Sequence, residues 1–176
     1  NGRRQNIANN LIFEKIKLFA MDVDGTLTDG KIYIGNDGEV MKAFNAKDGL
    51  GIKLLIKKGI IPIIITGRRS KIVTRRCEEI GITVLYQGVR DKADILKTVM
   101  AKYDCTPEQT VYIGDDMNDL SAMQTAGITF APADCAAALH PYVDFVLTQK
   151  SGDAPVREAI DIILENRLTL SDYESI

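Results

Sequence analysis

Apolar residues gather in short runs separated by helix-length stretches in which they recur every third or fourth position. The runs at 17–23, 60–66, 83–86, 110–114, 128–131 and 145–147 predict strands, and the stretches 49–58, 70–80, 91–103, 117–126 and 154–166 predict helices. Leu18-Phe19-Ala20-Met21 and Ile63-Ile64-Ile65 are apolar on both parities, as strands are when helices cover both faces of a sheet. Pro62 stands near the start of its run, where a missing ladder donor is tolerated. The alternation predicts an α/β fold: a doubly wound, Rossmann-like parallel sheet.

One segment breaks the rhythm. Residues 31–34 and 39–44 flank Asn36-Asp37-Gly38, and Asp-Gly between alternating residues predicts a β-hairpin directly after the first strand. An insertion of about 30–45 is too short for a separate domain, so no large cap is expected. Ile32, Ile34, Val40 and Phe44 would expose apolar surface unless a neighbouring subunit covered them. Without repeats, low-complexity stretches or linkers, 1–176 is expected to form one unit that frays only at its ends.

Composition narrows the classes. The chain has 176 residues, 45% of them hydrophobic, enough for a sizeable core. With 22 basic and 24 acidic residues and a formal net charge of -2, nothing marks a nucleic-acid or anionic-membrane partner. Cys77, Cys105 and Cys135 are an odd set without CxxC spacing, which argues against disulfides and structural zinc and for a reducing cytoplasm. No apolar run nears the roughly 20 residues of a membrane-spanning helix, and residues 1–10 lack the apolar segment of a signal peptide; a soluble, unsecreted protein is expected.

The candidate chemistry lies just after the strand runs. Asp22-Val23-Asp24-Gly25-Thr26 puts two carboxylates where open α/β sheets bind ligands, with Gly25 allowing a sharp turn. Alone, such a stretch is also an ordinary Asp-Gly turn. Gly114-Asp115-Asp116-Met117-Asn118-Asp119 adds three acids after Val111-Tyr112-Ile113, and helix capping accounts for one of them. Carboxylates gathered in one crevice repel unless a cation neutralises them, and an all-oxygen set points to Mg²⁺. In Thr66-Gly67-Arg68 a hydroxyl, an amide and a guanidinium can converge on an anion, aided by a helix starting near Ser70. Lys92 taken alone is most simply a solvated lysine at a helix start.

Acid pair, Thr-Gly, Lys, acid cluster: over residues 17–158 this order resembles the signature of the haloacid dehalogenase superfamily. The hairpin and the following Asn45-Ala46-Lys47-Asp48-Gly49 resemble its capless branch, the octulosonate 8-phosphate phosphatase family. The resemblance implies a phosphatase with Asp22 as nucleophile and Asp24 as acid and then base. It implies Mg²⁺ on Asp22, Asp115 and the Asp24 carbonyl, and Thr66 and Lys92 on the phosphoryl oxygens. Asp116 and Asp119 are equally suited to capping, support or metal contact.

The resemblance further implies 3-deoxy-D-manno-octulosonate 8-phosphate as substrate, within lipopolysaccharide sugar synthesis. Asn45, Ala46, Lys47, Asp48, Gly49, Lys53, Gly67, Arg68 and Arg76 are then the substrate contacts, alongside Asp24 and Lys92, in a homotetramer whose hairpins close neighbouring sites. Arg68 weighs against a nonulosonate 9-phosphate, because phosphatases for that substrate tend to carry an acid there. Lys53 stands where arginine is more usual, and residues 151–158 match the family's glycine-rich tail motif only in part. A receiver-like signalling module is the reading from another class; Asp24, a base for rapid hydrolysis, argues against it. His140 is read as structural in a loop, and the cysteines as core fillers.

Overall fold

The computed structural model describes residues 11–174. Residues 1–10, read above for a signal segment, and 175–176 at the end of the tail lie outside that range. The strands are β1 (Leu18–Met21), β4 (Ile61–Thr66), β5 (Val84–Gln87), β6 (Thr110–Ile113), β7 (Ile128–Ala131) and β8 (Phe145–Val146), with β2 (Tyr33–Gly35) and β3 (Gly38–Met41) forming a hairpin. The helices are α1 (Ala46–Lys57), α2 (Lys71–Ile80), α3 (Lys92–Lys102), α4 (Leu120–Met123), α5 (Pro155–Ile163) and α6 (Leu170–Tyr173). The main sheet runs β5-β4-β1-β6-β7-β8, every pair parallel.

Alternate strand residues feed opposite cores. Phe19, Met21, Ile64, Val111 and Ile113 pack with α1, α2 and α5, whereas Leu18, Ala20, Ile63, Ile65 and Tyr112 pack with α3 and α4. That is why these strands read as apolar on both parities. Strand order reverses at β1, which lies between β4 and β6, so the crevice beyond its carboxyl end is the topological switch point of the sheet. No helix among the described residues is long and apolar enough to cross a membrane. Cys77, Cys105 and Cys135 are all free thiols.

Several boundaries depart from the sequence reading. Asn45, whose side chain accepts from the Lys47 amide at 3.0 Å, caps α1 at Ala46, three residues before the expected start. The expected helix over 117–126 is a 3₁₀ turn, Met117–Asp119, followed by the single turn of α4. Its cause is Asp119, whose inward carboxylate accepts from the amides of Asp115 and Asp116 at 3.0 and 3.4 Å and tightens the chain there. Helix α5 stops at Ile163 rather than 166, and Asn166 adopts φ +62° just beyond it.

The hairpin turn also differs in kind. Gly35 pairs with Gly38, so Asn36-Asp37 is the connection, and neither has a positive φ. The turn is therefore not the mirror-image type that Asp-Gly suggests; Gly38, at φ +112°, absorbs the twist instead. Ile34 and Val40 are exposed as expected, but Ile32 and Phe44 are half-buried, Phe44 against the core and beneath the Arg76 guanidinium. His140 sits in a 3₁₀ turn, Ala137–Tyr142, not in an irregular loop.

Candidate active site

Asp22 follows β1 directly, and its amide donates to the Ile113 carbonyl on β6 at 3.1 Å, which fixes the chain at the switch point. Its side chain is buried, and Oδ1 accepts from the Val23 amide at 2.7 Å. Oδ2 meets Lys92 Nζ at 2.8 Å. Lys92 is the first residue of α3, capped by Asp91, and its ammonium also reaches Asp119 Oδ1 at 2.6 Å. Burial works to lower the Lys92 pKa, but the charges of Asp22 and Asp119 outweigh it and hold the pKa above its ordinary value. A buried lysine here is thus a fixed cation facing the carboxylate of Asp22.

Asp119 is fully buried and spends both oxygens within the protein: Oδ1 on Lys92 and the Tyr112 hydroxyl (2.7 Å), Oδ2 on the amides of Asp115 and Asp116. Asp116 is exposed and accepts from the Met117 amide at 2.7 Å, a cap rather than a site ligand. Asp22, Asp115 and Asp119 bring carboxylate oxygens within 4.8 Å of one another. Because the lone pairs of Asp119 are already committed, Asp22 and Asp115 are the two with capacity for a cation. Burial and then the charges of Asp119, Asp22 and Asp116 push the Asp115 carboxyl up to about 7. Burial and Asp119 likewise raise Asp22, against the pull of Lys92. Three carboxylates against one buried ammonium leave excess negative charge, and an all-oxygen set with that excess fits a hard divalent cation.

Gly25 permits this closeness: a Cβ there would stand 2.0 Å from Asp115 Oδ2, at φ +85°. Asp24 is half-buried, with Oδ2 3.8 Å from Arg68 Nε and Oδ1 paired to Lys42. Thr66 ends β4, the strand paired with β1, and is buried, while Gly67 and Arg68 are exposed.

The haloacid dehalogenase-like hydrolase family matches residues 81–160. The 3-deoxy-D-manno-octulosonate 8-phosphate phosphatase of Yersinia pestis is 46% identical over 149 residues, 85% of this chain and 80% of that one. Its Escherichia coli K12 counterpart is 43% identical over 151 residues, with 86% and 80% covered. The chain belongs to this phosphatase family. It is a phosphoric monoester hydrolase of the haloacid dehalogenase superfamily. Among solved structures, the family's phosphatase from Moraxella catarrhalis, in complex with magnesium, phosphate and KDO, gives a TM-score of 0.86 at 39% identity, covering 90% of this chain and 91% of that one. The cobalt-bound Haemophilus influenzae phosphatase gives 0.88 at 37% identity, with 92% and 98% covered.

This chain has the parallel sheet, the small hairpin and, among the described residues, no large cap, and the predicted substrate residues occupy varied positions on it. Asn45 joins its Nδ2 to the Gly152 carbonyl at 3.1 Å, and Ala46 and Lys47 are exposed on the first turn of α1. Asp48 is only 2% exposed and turns inward, its Oδ1 accepting from the Arg157 amide at 2.7 Å. Gly49 gives room to Arg76, whose Nη2 lies 2.5 Å from where a Cβ would be. Lys53 is exposed on an outer groove it shares with Glu78 and Glu79, apart from the carboxylate crevice.

Lys42 pairs with Asp24 and Glu39, and Tyr112 donates to Asp119; the sequence places the three only in strand runs, with nothing to mark a role in the site. Asp119 lay within the quoted acid cluster, and only the geometry separates its role from that of Asp116.

Proposed function

We propose that the chain hydrolyses 3-deoxy-D-manno-octulosonate 8-phosphate to the free sugar acid and phosphate, through an aspartyl-phosphate on Asp22. One observation carries the reading: the buried Asp22 carboxylate, paired with Lys92 and facing Asp115 at the switch point. Asp22 attacks phosphorus while Asp24 delivers a proton to the departing sugar oxygen. Asp24 then takes a proton from the water that cleaves the acyl phosphate. Lys92 holds Asp22 ionised and, with the Thr66 hydroxyl and Gly67 amide, binds phosphoryl oxygens. Asp22, Asp115 and the Asp24 carbonyl would hold Mg²⁺, which supplies charge neutralisation that lets two anions approach.

Arg68 suits the substrate carboxylate, and Asn45 with the first turn of α1 suits its hydroxyls. Arg76, against Phe44 and Gly49, and Lys53, on the outer groove, are the remaining proposed contacts. The same reading takes 1–176 as one phosphatase unit, places it in the cytoplasm in lipopolysaccharide sugar synthesis, and assembles it as a homotetramer with hairpins closing neighbouring sites.

The test is phosphate release from the eight-carbon acid phosphate with Mg²⁺ and with EDTA, beside a nonulosonate 9-phosphate and 4-nitrophenyl phosphate. Strong magnesium-dependent preference for the first is expected; preference for the nine-carbon compound would keep the chemistry and overturn the substrate. Asp22→Asn is expected to abolish turnover while the fold persists, and substantial residual activity would remove Asp22 as nucleophile.

A further inference from the structure

The hairpin does more than follow β1. Lys42, just past β3, turns back with its side chain only 2% exposed and bridges Asp24 Oδ1 and Glu39 Oε1, the latter at 2.9 Å. Glu39 Oε2 in turn accepts from the Ser70 hydroxyl, and the Ser70 amide donates to Gln87 Oε1 at 2.6 Å. Ser70 is the N-cap of α2, its Oγ accepting from the Val73 amide at 3.3 Å. A continuous polar chain thus runs from the rigid end of β5 and the cap of α2, through the hairpin, to one oxygen of Asp24. A buried ammonium is costly unless it is held in this way, and a lysine with two carboxylate partners loses most of its freedom.

The two oxygens of Asp24 are not equivalent. Oδ1 is taken by Lys42, whereas Oδ2 faces Arg68, with Nε at 3.8 Å. A carboxyl group that gives a proton in one half-reaction and takes one in the next must keep its orientation throughout, and small misplacements cost heavily. We propose that Lys42, held by Glu39 and Ser70, is a positioning residue for Asp24, fixing Oδ1 so that Oδ2 carries the proton. This rests on the acid and base role proposed for Asp24.

Leaving-group dependence tests it. A sugar alcohol needs a proton as its P–O bond breaks, whereas 4-nitrophenolate departs as a stable anion. Hydrolysis of the aspartyl-phosphate is common to both substrates, so kcat/KM, which reports only the steps up to phosphoryl transfer, is the quantity to compare. Wild type, Lys42→Met, Lys42→Arg, Glu39→Gln, Asp24→Asn and the Lys42→Met/Asp24→Asn double variant are assayed with Mg²⁺ on 3-deoxy-D-manno-octulosonate 8-phosphate and 4-nitrophenyl phosphate.

Lys42→Met is expected to lose about 10²-fold on the sugar phosphate and less than about tenfold on the aryl phosphate, the scale of a general acid knocked out of place. Glu39→Gln should show the same selectivity more weakly, and Lys42→Arg should restore most of the ratio. Adding Lys42→Met to Asp24→Asn should cost little more, because both changes remove one function. Equal losses on both substrates, no loss, or an additive loss in the double variant would each overturn the proposal. If Lys42→Met fails to fold, Glu39→Gln and Lys42→Arg read the same ratio. If Asp24→Asn itself shows no selectivity, the acid and base assignment falls and takes this proposal with it. A selective Asp24→Asn beside a non-selective Lys42→Met sinks the positioning role alone.

Discussion

At Gly25 the chain comes so close to Asp115 that a methyl group would lie 2.0 Å from its Oδ2, and the backbone holds φ +85°. Gly25→Ala therefore has to displace a candidate metal ligand and strain the turn together. A loss of about 1–3 kcal/mol in chemical denaturation is expected, with a rise of at least about tenfold in the Mg²⁺ concentration for half-maximal activity. Unchanged magnesium dependence would show that Asp115 is not a ligand. A second residue-scale prediction concerns Asp48, whose Oδ2 is buried with no hydrogen-bond partner among the described residues. Burial pushes its carboxyl up to about 7, against the pull of the Arg157 amide and the Arg76 charge. The folded state thus keeps a proton that the unfolded chain gives up near 3.8. The stability linked to Asp48 is full below that value and is lost as pH rises through about 7. Relative to Asp48→Asn, the wild type should lose roughly 2–3 kcal/mol between pH 5 and 8, read from paired unfolding curves. A pH-independent difference would mean that Asp48 stays ionised in the fold.

Among the elements, α2 and the hairpin share one hydroxyl. Ser70 caps α2 through Val73 and anchors Glu39, so Ser70→Ala should cost about 1 kcal/mol for the cap and should speed amide exchange across residues 33–41. Stability loss without faster exchange in the hairpin would show that Glu39 holds without Ser70. This link illustrates what the sequence could and could not convey. Each apolar run placed its strand to within a residue or two, because burial on both faces leaves a continuous signature in Leu18–Met21 and in Ile61–Thr66. The acids after β1 and β6 were legible because strand ends collect ligands. The 3₁₀ turn at Met117–Asp119 was not, since it depends on Asp119 turning inward to a lysine 27 residues upstream. Lys42 was equally hidden: its partner Asp24 is 18 residues away, and no periodicity distinguishes a lysine that folds back from one that points into water.

For the whole molecule, the sheet and its two helical layers enclose the core, and the hairpin is the part left outside. At its base Lys42 and Phe44 are tied to the chain's own core and site, but Tyr33, Ile34, Val40 and Met41 remain 39%, 71%, 61% and 48% exposed. A two-stranded ribbon with an apolar tip is marginal alone and invites a covering surface. A second copy of this chain is the covering surface in the proposed assembly. The double variant Ile34→Asp with Val40→Asp places two charges on that tip and should give a monomeric mass by light scattering at micromolar concentration. Turnover of the eight-carbon substrate should fall at least about tenfold, through lost closure of the site. Because Asp22, Lys92 and Asp115 all come from one chain, hydrolysis of 4-nitrophenyl phosphate should change only a few-fold. An unchanged mass would remove the hairpin from the interface. A monomer that keeps full activity on the sugar phosphate would show instead that each chain completes its own site, with the tip serving assembly alone.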